Sequence, residues 1–555
     1  MKKLLLVLLV VSAVFLMACA PATTPATEAP ATAPAEPQAP VAPVTPAPLP
    51  VVPGAGDTPI LAPIEEDVVN LAEHVDVIVD NTLIAAVNPF IPAGNTSSTQ
   101  WTYTLIYDRL IEDIGGGAYG PMLATDWHTD DYILWIFNLR DDVVFHNGDR
   151  FTAEHVAGTI RIAQESLGTI GGDRWAIVES YNIPDDFTIE ITLRDVHVDF
   201  LFDISSPPAG IINEAAFRAD PEEGSWIGTG PFQIVNFSTN DFVTVERFDD
   251  FWGEAPPSRF ITLRFVPEVA TRLVMLQNRE SHLCFSISPE DLTYVLAHDP
   301  DFQIIQAMFN APNVIGFNMA DPLMADPNFR RAVFHAVNLE EIAMVAAGEW
   351  AVAPQDGNVW GPSTPYRVET IPRWEFNPDL ARQYLEASIY AGEVVEISAT
   401  VATNIRAAEI IQHQLRQIGL ETSVNSMDTP SFLAHVRFGD NPSQMHVFAA
   451  SFTLSPIGSV WNVYYPGTGN NRTNFNNPFI SDIITRVRVE TDSNVRRELL
   501  TELQEYIAAD PPYINLFWRL NGVAAINGLG GLQLSHDSLR YNMRGLFIDL
   551  DIAPM

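Results

Sequence analysis

The chain has 555 residues, of which 30 are Lys or Arg and 69 are Asp or Glu, and 47% of it is hydrophobic. Its only lysines, Lys2 and Lys3, lie in what we interpret as a removable targeting peptide, so the rest has 28 arginines and a formal charge of 28 − 69 = −41. The absence of lysine excludes a Schiff-base lysine and a Walker-type phosphate-binding lysine. So acidic a chain also repels nucleic acid and anionic membrane surfaces.

The N-terminus has the pattern of a secretory signal. Lys2 and Lys3 precede a mostly apolar run from Leu4 to Met17, which is shorter than the ~20 residues of a membrane span but suits a signal peptide. The stretch Leu16-Met17-Ala18-Cys19 resembles a bacterial lipobox. We therefore expect residues 1–18 to be cleaved and Cys19 to become the lipidated first residue. The alternatives are an ordinary signal peptide with a chance cysteine and an uncleaved anchor.

Residues 19–63 are mostly Pro, Ala, Thr and Val. Such a segment cannot bury a core and predicts a semi-extended tether. A lipid on Cys19 followed by this spacer predicts a body held outside the cytoplasm, at the outer face of the cytoplasmic membrane or in the periplasm.

The residue patterns of the body, from position 64 onward, predict an α/β fold. Predicted strands cover Tyr132–Leu139, Thr188–Leu193, Phe232–Val235 and Phe242–Arg247. Two predicted helices have proline at their first position, and a third follows late in the chain. They run from Asp326-Pro327 through Ala347, from Asn377-Pro378 through Ala387, and from Ser493 to Ala509.

A strand–helix–strand unit is predicted between residues 394 and 424. Val394–Val401 alternates apolar and polar residues, and Asn404 is the expected cap of a helix with one apolar face. Gly419 ends that helix, and Leu420–Val424 resumes the alternation. This unit predicts parallel pairing of the two strands.

The sequence contains none of the motifs H-E-x-x-H, G-x-S-x-G and C-x-x-C. Gly115–Gly120 fits G-x-G-x-x-G, but Pro121 and a strand follow it, so we expect a surface turn. The histidines show no metal-ligand spacing, and Cys284, in an apolar context, is expected to be a buried thiol. We therefore predict no metal site, no cofactor and no enzymatic activity. A lipid-anchored secreted hydrolase is the alternative from another class.

Several ordered blocks resemble the extracellular solute-binding proteins of the peptide/nickel class of ABC importers, the dipeptide- and oligopeptide-binding group. The most specific signature runs from Leu123 to Asp149 and continues through Phe151–Val156, with His155 in place of the usual acidic residue. The other matching blocks are Gly228–Phe232, Glu246–Gly253, Arg330–Val333, Ala336–Ile342, Pro378–Ala387, Ile410–Leu420 and Tyr541–Leu546. The resemblance covers roughly residues 64–547.

The resemblance implies a two-lobe, periplasmic-binding-protein-like α/β fold (a Venus flytrap) that closes on a solute by hinge motion. The first lobe would comprise residues 64–309 plus 526–555, with an extra inserted subdomain at about 102–224, and the second lobe residues 310–525. The implied function is capture of a small solute and its delivery to the permease subunits of an ABC importer, by a monomer. Oligopeptide and oligosaccharide ligands both remain open.

In the peptide binders of this family, an aspartate shortly after a strand start holds the α-ammonium of the ligand. That motif falls on Met445–Ser455 and puts Ser455 at the aspartate position, with His446 and Phe452 replacing the usual Asp and Trp. A neutral hydroxyl cannot neutralise a desolvated ammonium, and an unpaired buried charge costs ~1–3 kcal/mol or more. The substitution therefore argues against peptides with a free amino terminus.

The resemblance suggests a set of ligand contacts from both lobes. Trp101 and Thr102 map onto a first-lobe segment that lies along the ligand, and other members map onto loops that face the cleft. The full set is Asn88, Trp101, Thr102, Trp360, Phe452, Ser455 and Trp461. With no lysine available, any anionic group of the ligand must be met by arginine, backbone N–H groups or helix N-termini.

Overall fold

The structure is a computed structural model and describes residues 70–79, 87–92, 97–115, 117–285, 287, 289–294, 296, 299–358, 360–361, 364–369, 371–439, 441–450, 455–534 and 541–553. The expected signal peptide, Cys19, the tether and Phe452 lie outside the described residues. Within the described part, no helix is both long and apolar enough to cross a membrane.

The described strands have alternating apolar and polar residues where one face is buried, and continuous apolar residues where both faces are buried. They are β1 His74–Val79, β2 Ile111–Gly115, β3 Ala118–Pro121, β4 Ala124–His128, β5 Leu134–Leu139, β6 Val178–Asp185, β7 Thr188–Leu193, β8 Phe232–Ser238, β9 Phe242–Arg247, β10 Phe260–Phe265, β11 Leu283–Phe285, β12 Phe302–Phe317, β13 Ala351–Val352, β14 Val395–Ala399, β15 Thr422–Ser426, β16 Met445–Ala449, β17 Tyr513–Ile526, β18 Leu529–Gly530, β19 Gln533–Leu534, β20 Tyr541–Asn542 and β21 Phe547–Ile548.

Most of the described helices begin after an Asp, Asn or Ser whose side chain caps the first turn. The helices are α1 Ser97–Ile106, α2 Ala153–Glu165, α3 Phe200–Ser205, α4 Glu214–Ala219, α5 Val269–Gln277, α6 Pro289–Tyr294, α7 Pro322–Ala325, α8 Pro327–Ala336, α9 Leu339–Ala347, α10 Pro378–Glu386, α11 Ala402–Gln417, α12 Thr429–His435, α13 Pro456–Tyr464, α14 Pro478–Val489 and α15 Ser493–Ala509.

One mixed sheet of 11 strands runs through the described body. Its order is β15-β14-β16-β12-β17-β11-β1-β10-β9-β8, with β13 paired to β17. A separate antiparallel sheet, β4-β5-β7-β6, lies between β1 and β10 in the sequence, together with α2. This second sheet belongs to the region that the sequence predicts as an inserted subdomain.

The long antiparallel pair β12–β17 connects the hydrophobic cores. The early part of β12 and the late part of β17 pack into a first core, through residues such as Phe302 and Val523. The opposite ends pack into a second core, through residues such as Phe317 and Ile514. Between these ends the register of the pair shifts at Met308/Pro312 and again at Asn313/Val314. A bulged pair of strands that crosses between two cores is a natural place for a hinge.

A third core lies beside the second and is built on α13, α14 and α15. The cores consist mainly of aliphatic and aromatic side chains that are fully removed from water, which is the main favourable term in folding. The predicted lobe boundaries at 309/310 and 525/526, and the extent of the inserted subdomain, stay predictions.

Several local predictions are confirmed, and two are wrong. The helix α15 has the predicted bounds, and β14–α11–β15 forms with parallel pairing of its strands. However, α11 does not begin at an Asn404 cap. Val401 adopts a positive φ of 55°, so the chain turns there and the helix starts at Ala402, leaving Asn404 buried inside it.

The predicted continuous helix from Pro327 through Ala347 is also wrong, because it is broken into α8 and α9. Val337 and Asn338 are extended at the break, and the Asn338 side chain accepts a hydrogen bond from the Glu341 N–H at 3.0 Å. Asparagine competes with helical backbone bonds and favours such caps. Of the Gly115–Gly120 stretch, Gly115 ends β2, Gly117 lies in the predicted turn and Ala118–Gly120 belong to β3 of the same hairpin.

Candidate ligand-binding cleft

Ser455 lies at the N-cap of α13, where Pro456 occupies the first helical position. Its Oγ accepts a hydrogen bond from the Gly458 N–H at 2.8 Å. Because that bond uses the oxygen as an acceptor, the Ser455 hydroxyl proton is available to a second group. It is donated to the carboxylate Oδ2 of Asp199.

The Ser455–Asp199 bond joins parts of the chain that are 256 residues apart. Asp199 immediately precedes α3, in the region between β1 and β10, whereas Ser455 precedes a helix of the third core. Val198 packs against that third core, and the guanidinium carbon of Arg496, on α15, lies 5.9 Å from the centroid of the Tyr132 ring. These contacts bring the two sides of the predicted cleft together in this structure.

The pKa of the Asp199 carboxyl is raised above its ordinary value. Burial raises the pKa of its carboxyl, and the charge of Asp203 acts in the same direction. The hydrogen bond from Ser455 and the more distant charges of His197 and Arg496 lower the pKa, but they do not cancel the rise. Desolvation disfavours the charged form of an acid that has no close counter-ion.

Trp101 and Thr102 lie on α1 and belong to the first core. Trp101 is 5% exposed and Thr102 is fully buried. The Trp101 ring packs against Phe285, with 4.8 Å between ring centroids. Their predicted contact with a ligand stays a prediction.

Asn88 holds a loop of the same half of the molecule. Its Nδ2 donates to the Pro221 carbonyl at 3.1 Å, and its Oδ1 accepts from the Phe90 N–H at 2.9 Å. Both ends of the amide are thus used by protein groups, and the side chain is only 3% exposed. Such an amide stabilises the loop, and its proposed ligand contact stays a prediction.

Trp360 and Trp461 both pack in or on the third core, near Ser455. Trp360 is 1% exposed. Trp461 stacks on Tyr465 with 3.7 Å between ring centroids, and the Arg488 guanidinium carbon lies 4.0 Å from the same indole. Two groups this close to one ring must lie on opposite faces, so protein side chains cover both faces of Trp461.

The side chains of His446 and Arg472 both lie beside Phe448. His446 is fully buried, neither ring nitrogen has a hydrogen-bond partner within the described part of the chain, and burial lowers its pKa to about 3. The Arg472 guanidinium carbon lies 5.1 Å from the Phe448 ring centroid, and burial lowers the pKa of this side chain too. Gly316, opposite His446 in the sheet, leaves room for the imidazole.

The structure also bears on metal binding and on cysteine chemistry. In the described ranges, no group of three or more His, Cys, Asp or Glu side chains is arranged to hold a metal ion. Cys284 is a free, buried thiol, as predicted, and burial raises its pKa to about 12.

Asp199 is the cleft residue that sequence reasoning missed. It belongs to no recognised motif and lies 256 residues from Ser455 in the sequence. Only the folded chain brings this acid to the hydroxyl.

Comparison with known proteins identifies related sequences along most of the body. Residues 118–471 match the family described as bacterial extracellular solute-binding proteins, family 5 middle. A glutathione-binding protein, GsiB, from Pectobacterium atrosepticum is 25% identical over 428 residues, which cover 74% of this chain and 82% of that protein.

Solved structures show the same fold at lower sequence identity. The substrate-binding protein CtaP of an ABC transporter from Listeria monocytogenes has a TM-score of 0.77 at 20% identity, covering 86% of this chain and 99% of that chain. The binding protein DppA from Helicobacter pylori, in complex with the peptide STSA, has a TM-score of 0.69 at 19% identity, with 86% and 99% covered. The predicted two-lobe α/β fold is confirmed.

Proposed function

Because the chain belongs to the bacterial extracellular solute-binding proteins of family 5, we propose that it is a lipid-anchored receptor that captures a peptide-class solute between two lobes. It is the solute-binding component of an ABC importer. In this proposal the loaded protein presents its solute to the permease subunits and performs no chemical conversion of its own.

The observation that carries the proposal is the meeting of Asp199 and Ser455 across the predicted cleft. Asp199 precedes α3, whose Phe200 belongs to the first core, and Ser455 caps α13 of the third core. The bulged strands β12 and β17 contribute residues to both of these cores. A solute bound between them would contact both sides only in the closed form. Closure is then driven by differential affinity for the two forms, which is how a hinged receptor responds to its ligand.

A peptide-class solute is favoured over an oligosaccharide by the names of related proteins and by the Asp199 carboxylate, which supplies beside Ser455 the charge that the hydroxyl alone lacks. Similar proteins are described as glutathione-binding and as bound to the peptide STSA, and both ligands have amino and carboxylate groups. In this chain, arginine or backbone N–H groups must meet the carboxylate, since the body has no lysine.

The attachment to a membrane rests on the N-terminal sequence. Acyl chains on Cys19 would hold the protein at the outer face of the membrane, and the Pro-rich segment 19–63 would act as a spacer. The tether raises the local concentration of the receptor near its permease without any additional contact. A monomer suffices for this role.

Native mass spectrometry of the purified protein, followed by thermal-shift titration, tests the function. The panel comprises short peptides, glutathione, oligosaccharides and nickel–histidine. A ligand at 100 times its dissociation constant should add about 2.7 kcal/mol of stability, and the peptide arm should give this shift without turnover. Stabilisation by oligosaccharides alone would replace the peptide class, and hydrolysis of a bound probe would instead support the hydrolase alternative.

A further inference from the structure

The Asp199 carboxylate does not cap the helix that it precedes. The residue occupies the N-cap position of α3, where an aspartate usually accepts a hydrogen bond from the first turn of its helix. Here the side chain makes no such bond. It reaches across to Ser455 instead, through Oδ2, and Oδ1 has no hydrogen-bond donor among the residues that the structure describes.

The neighbouring Asp203, in the same segment, has a carboxylate that is held by two protein side chains. Its Oδ1 lies 3.1 Å from Arg174 Nη1, and its Oδ2 lies 2.8 Å from His197 Nε2. Asp199 forms no ion pair within the described part of the chain. The nearby Arg496 donates from Nη1 to the Glu490 carbonyl at 3.0 Å, its Nε has no hydrogen-bond partner in the described part of the chain, and it acts on Asp199 only as a more distant charge. The fold therefore gives Asp203 two direct partners and Asp199 only a neutral hydroxyl, so that a cation arriving with the solute can pair with Asp199.

The Asp199 carboxylate is only partly buried, and with no ion pair it is costly for the protein alone. Desolvation raises the pKa of Asp199, as does the charge of Asp203, and a partly desolvated charge without a counter-ion destabilises the state that holds it. A cation that arrives with the solute would remove this cost. From the predicted second lobe, the neutral hydroxyl of Ser455 bonds to the carboxylate directly, and Arg496 contributes only a more distant charge.

We propose, on the basis of the solute-receptor function above, that Asp199 binds the ammonium or guanidinium group of the solute, while Ser455 holds the carboxylate in position. The negative charge that recognises the solute is thus supplied by the first lobe rather than the second. The solute class is an amine-bearing one, such as a peptide with a free amino terminus.

This location couples recognition of charge to closure. The carboxylate precedes Phe200 of the first core and the hydroxyl caps a helix of the third core, so the complete anchor exists only when the two sides meet. An amine-bearing solute then stabilises the closed form selectively, whereas a neutral analogue gains much less from closure.

Calorimetric titration of the full-length protein tests the anchor. The probes are glutathione and a peptide of sequence STSA, each with a free or an acetylated amino group, together with spermidine and maltotetraose. We expect the wild type to bind the free-amine peptides at least tenfold more tightly than the acetylated ones. Asp199→Asn should abolish that preference while the melting temperature of the ligand-free protein stays the same or rises. The matched control Asp203→Asn should lower the melting temperature and keep the preference.

The possible results separate this inference from the proposed function. Equal affinity for free and acetylated peptides, or a preference that survives in Asp199→Asn, overturns the anchor but leaves a peptide receptor. Binding of maltotetraose with no binding of amines overturns both the anchor and the peptide class. Asp199-dependent binding of spermidine without peptide binding supports the anchor and overturns the peptide class. A wild type that binds none of the probes contradicts both proposals.

Discussion

The guanidinium of Arg544 donates to the carboxylate of Asp108, with 2.8 Å between Nη2 and Oδ1, and so joins residues 436 positions apart. Arg544 also donates to the carbonyls of Thr104 and Tyr107. Asp108 is fully buried and accepts a second bond, from Trp252 Nε1 at 2.8 Å. This network attaches the returning C-terminal segment to the end of α1.

Replacing Asp108 by Asn should therefore destabilise the protein strongly. The variant leaves the part-buried Arg544 guanidinium without its carboxylate, and breaking one side of such a pair costs about 3 kcal/mol or more. Urea unfolding should show a lower midpoint with an unchanged slope. Asp379→Asn is the control, since its pair with Arg382 is exposed and should contribute little. Equal midpoints for the two variants would contradict the role of Asp108.

Cys284 should be unreactive in the folded protein. It is fully buried and burial raises its pKa to about 12, whereas thiol reagents attack the thiolate. In a Cys19→Ala background we expect no reaction with a disulfide reagent under native conditions at pH 8, and one equivalent after denaturation. A variant that also has Cys284→Ala gives the blank. Rapid native labelling would show that the site opens to solvent.

His446 should make stability depend on pH below neutrality. Burial lowers its pKa from 6.5 to about 3, and the charges of Arg472 and His435 act in the same direction. The unfolded chain therefore takes up a proton on His446 near pH 6.5, whereas the folded chain takes it up only near pH 3. Stability is fully present above pH 6.5 and should be lost between these values, at about 1.4 kcal/mol per pH unit.

Urea titrations of the wild type and His446→Phe between pH 7 and pH 4 measure this contribution. The variant removes the titrating group and keeps a ring among Phe432 and Phe448. His146, His155 and His282 also have lowered pKa values because of burial, but they contribute equally to both proteins. The wild type should lose stability more steeply, and parallel curves would show that His446 does not titrate in this way.

The sequence predicted local structure best where one physical signal dominated. The helical spacing of apolar residues in α15 predicted a helix with the observed bounds. Alternating apolar and polar residues, followed by apolar residues at helical spacing, identified β14–α11–β15. It failed where the signals competed. Asn404 looked like a cap, but the left-handed turn at Val401 starts the helix earlier, and Asn338 interrupts what looked like one continuous apolar helix.

The candidate site was less predictable because its contacts are long-range. The family motif drew attention to Ser455 as a ligand contact, which stays a prediction, yet nothing near it in sequence indicated Asp199. The direction of the Asp199 side chain depends on the packing of two cores and not on its own segment. Aromatic residues were equally ambiguous, because the same residue types serve as core and as ligand platform.

Trp461 illustrates that ambiguity and permits a direct test. Since Tyr465 and Arg488 cover both faces of the indole, Trp461→Ala should lower the free energy of unfolding by about 2–4 kcal/mol and leave the affinity for a bound solute within twofold. Chemical denaturation and calorimetry measure the two effects separately. A large loss of affinity with little loss of stability would instead support the ligand-platform role predicted from the sequence.

Moving the carboxylate from the first lobe to the second provides the most demanding test of the cleft. Ser455→Asp alone places two carboxylates within hydrogen-bond reach, so one of them should remain protonated and the gain in amine binding should be small. In the double variant Asp199→Asn/Ser455→Asp, the single carboxylate lies on the predicted second lobe, and the amide introduced on the predicted first lobe can donate to it. We expect this double variant to regain most of the preference for free-amine over acetylated peptides that Asp199→Asn loses.

The four proteins form a double-mutant cycle, and calorimetric titration with the same peptide pair gives its coupling energy. Residues in direct contact typically couple by about 0.5–3 kcal/mol, and we expect a value in the upper half of that range. Ser455→Ala serves as the control for loss of the helix cap, since it removes the hydroxyl without adding charge. A double variant that discriminates no better than Asp199→Asn would show that the position of the carboxylate at residue 199, and not only its charge, is required.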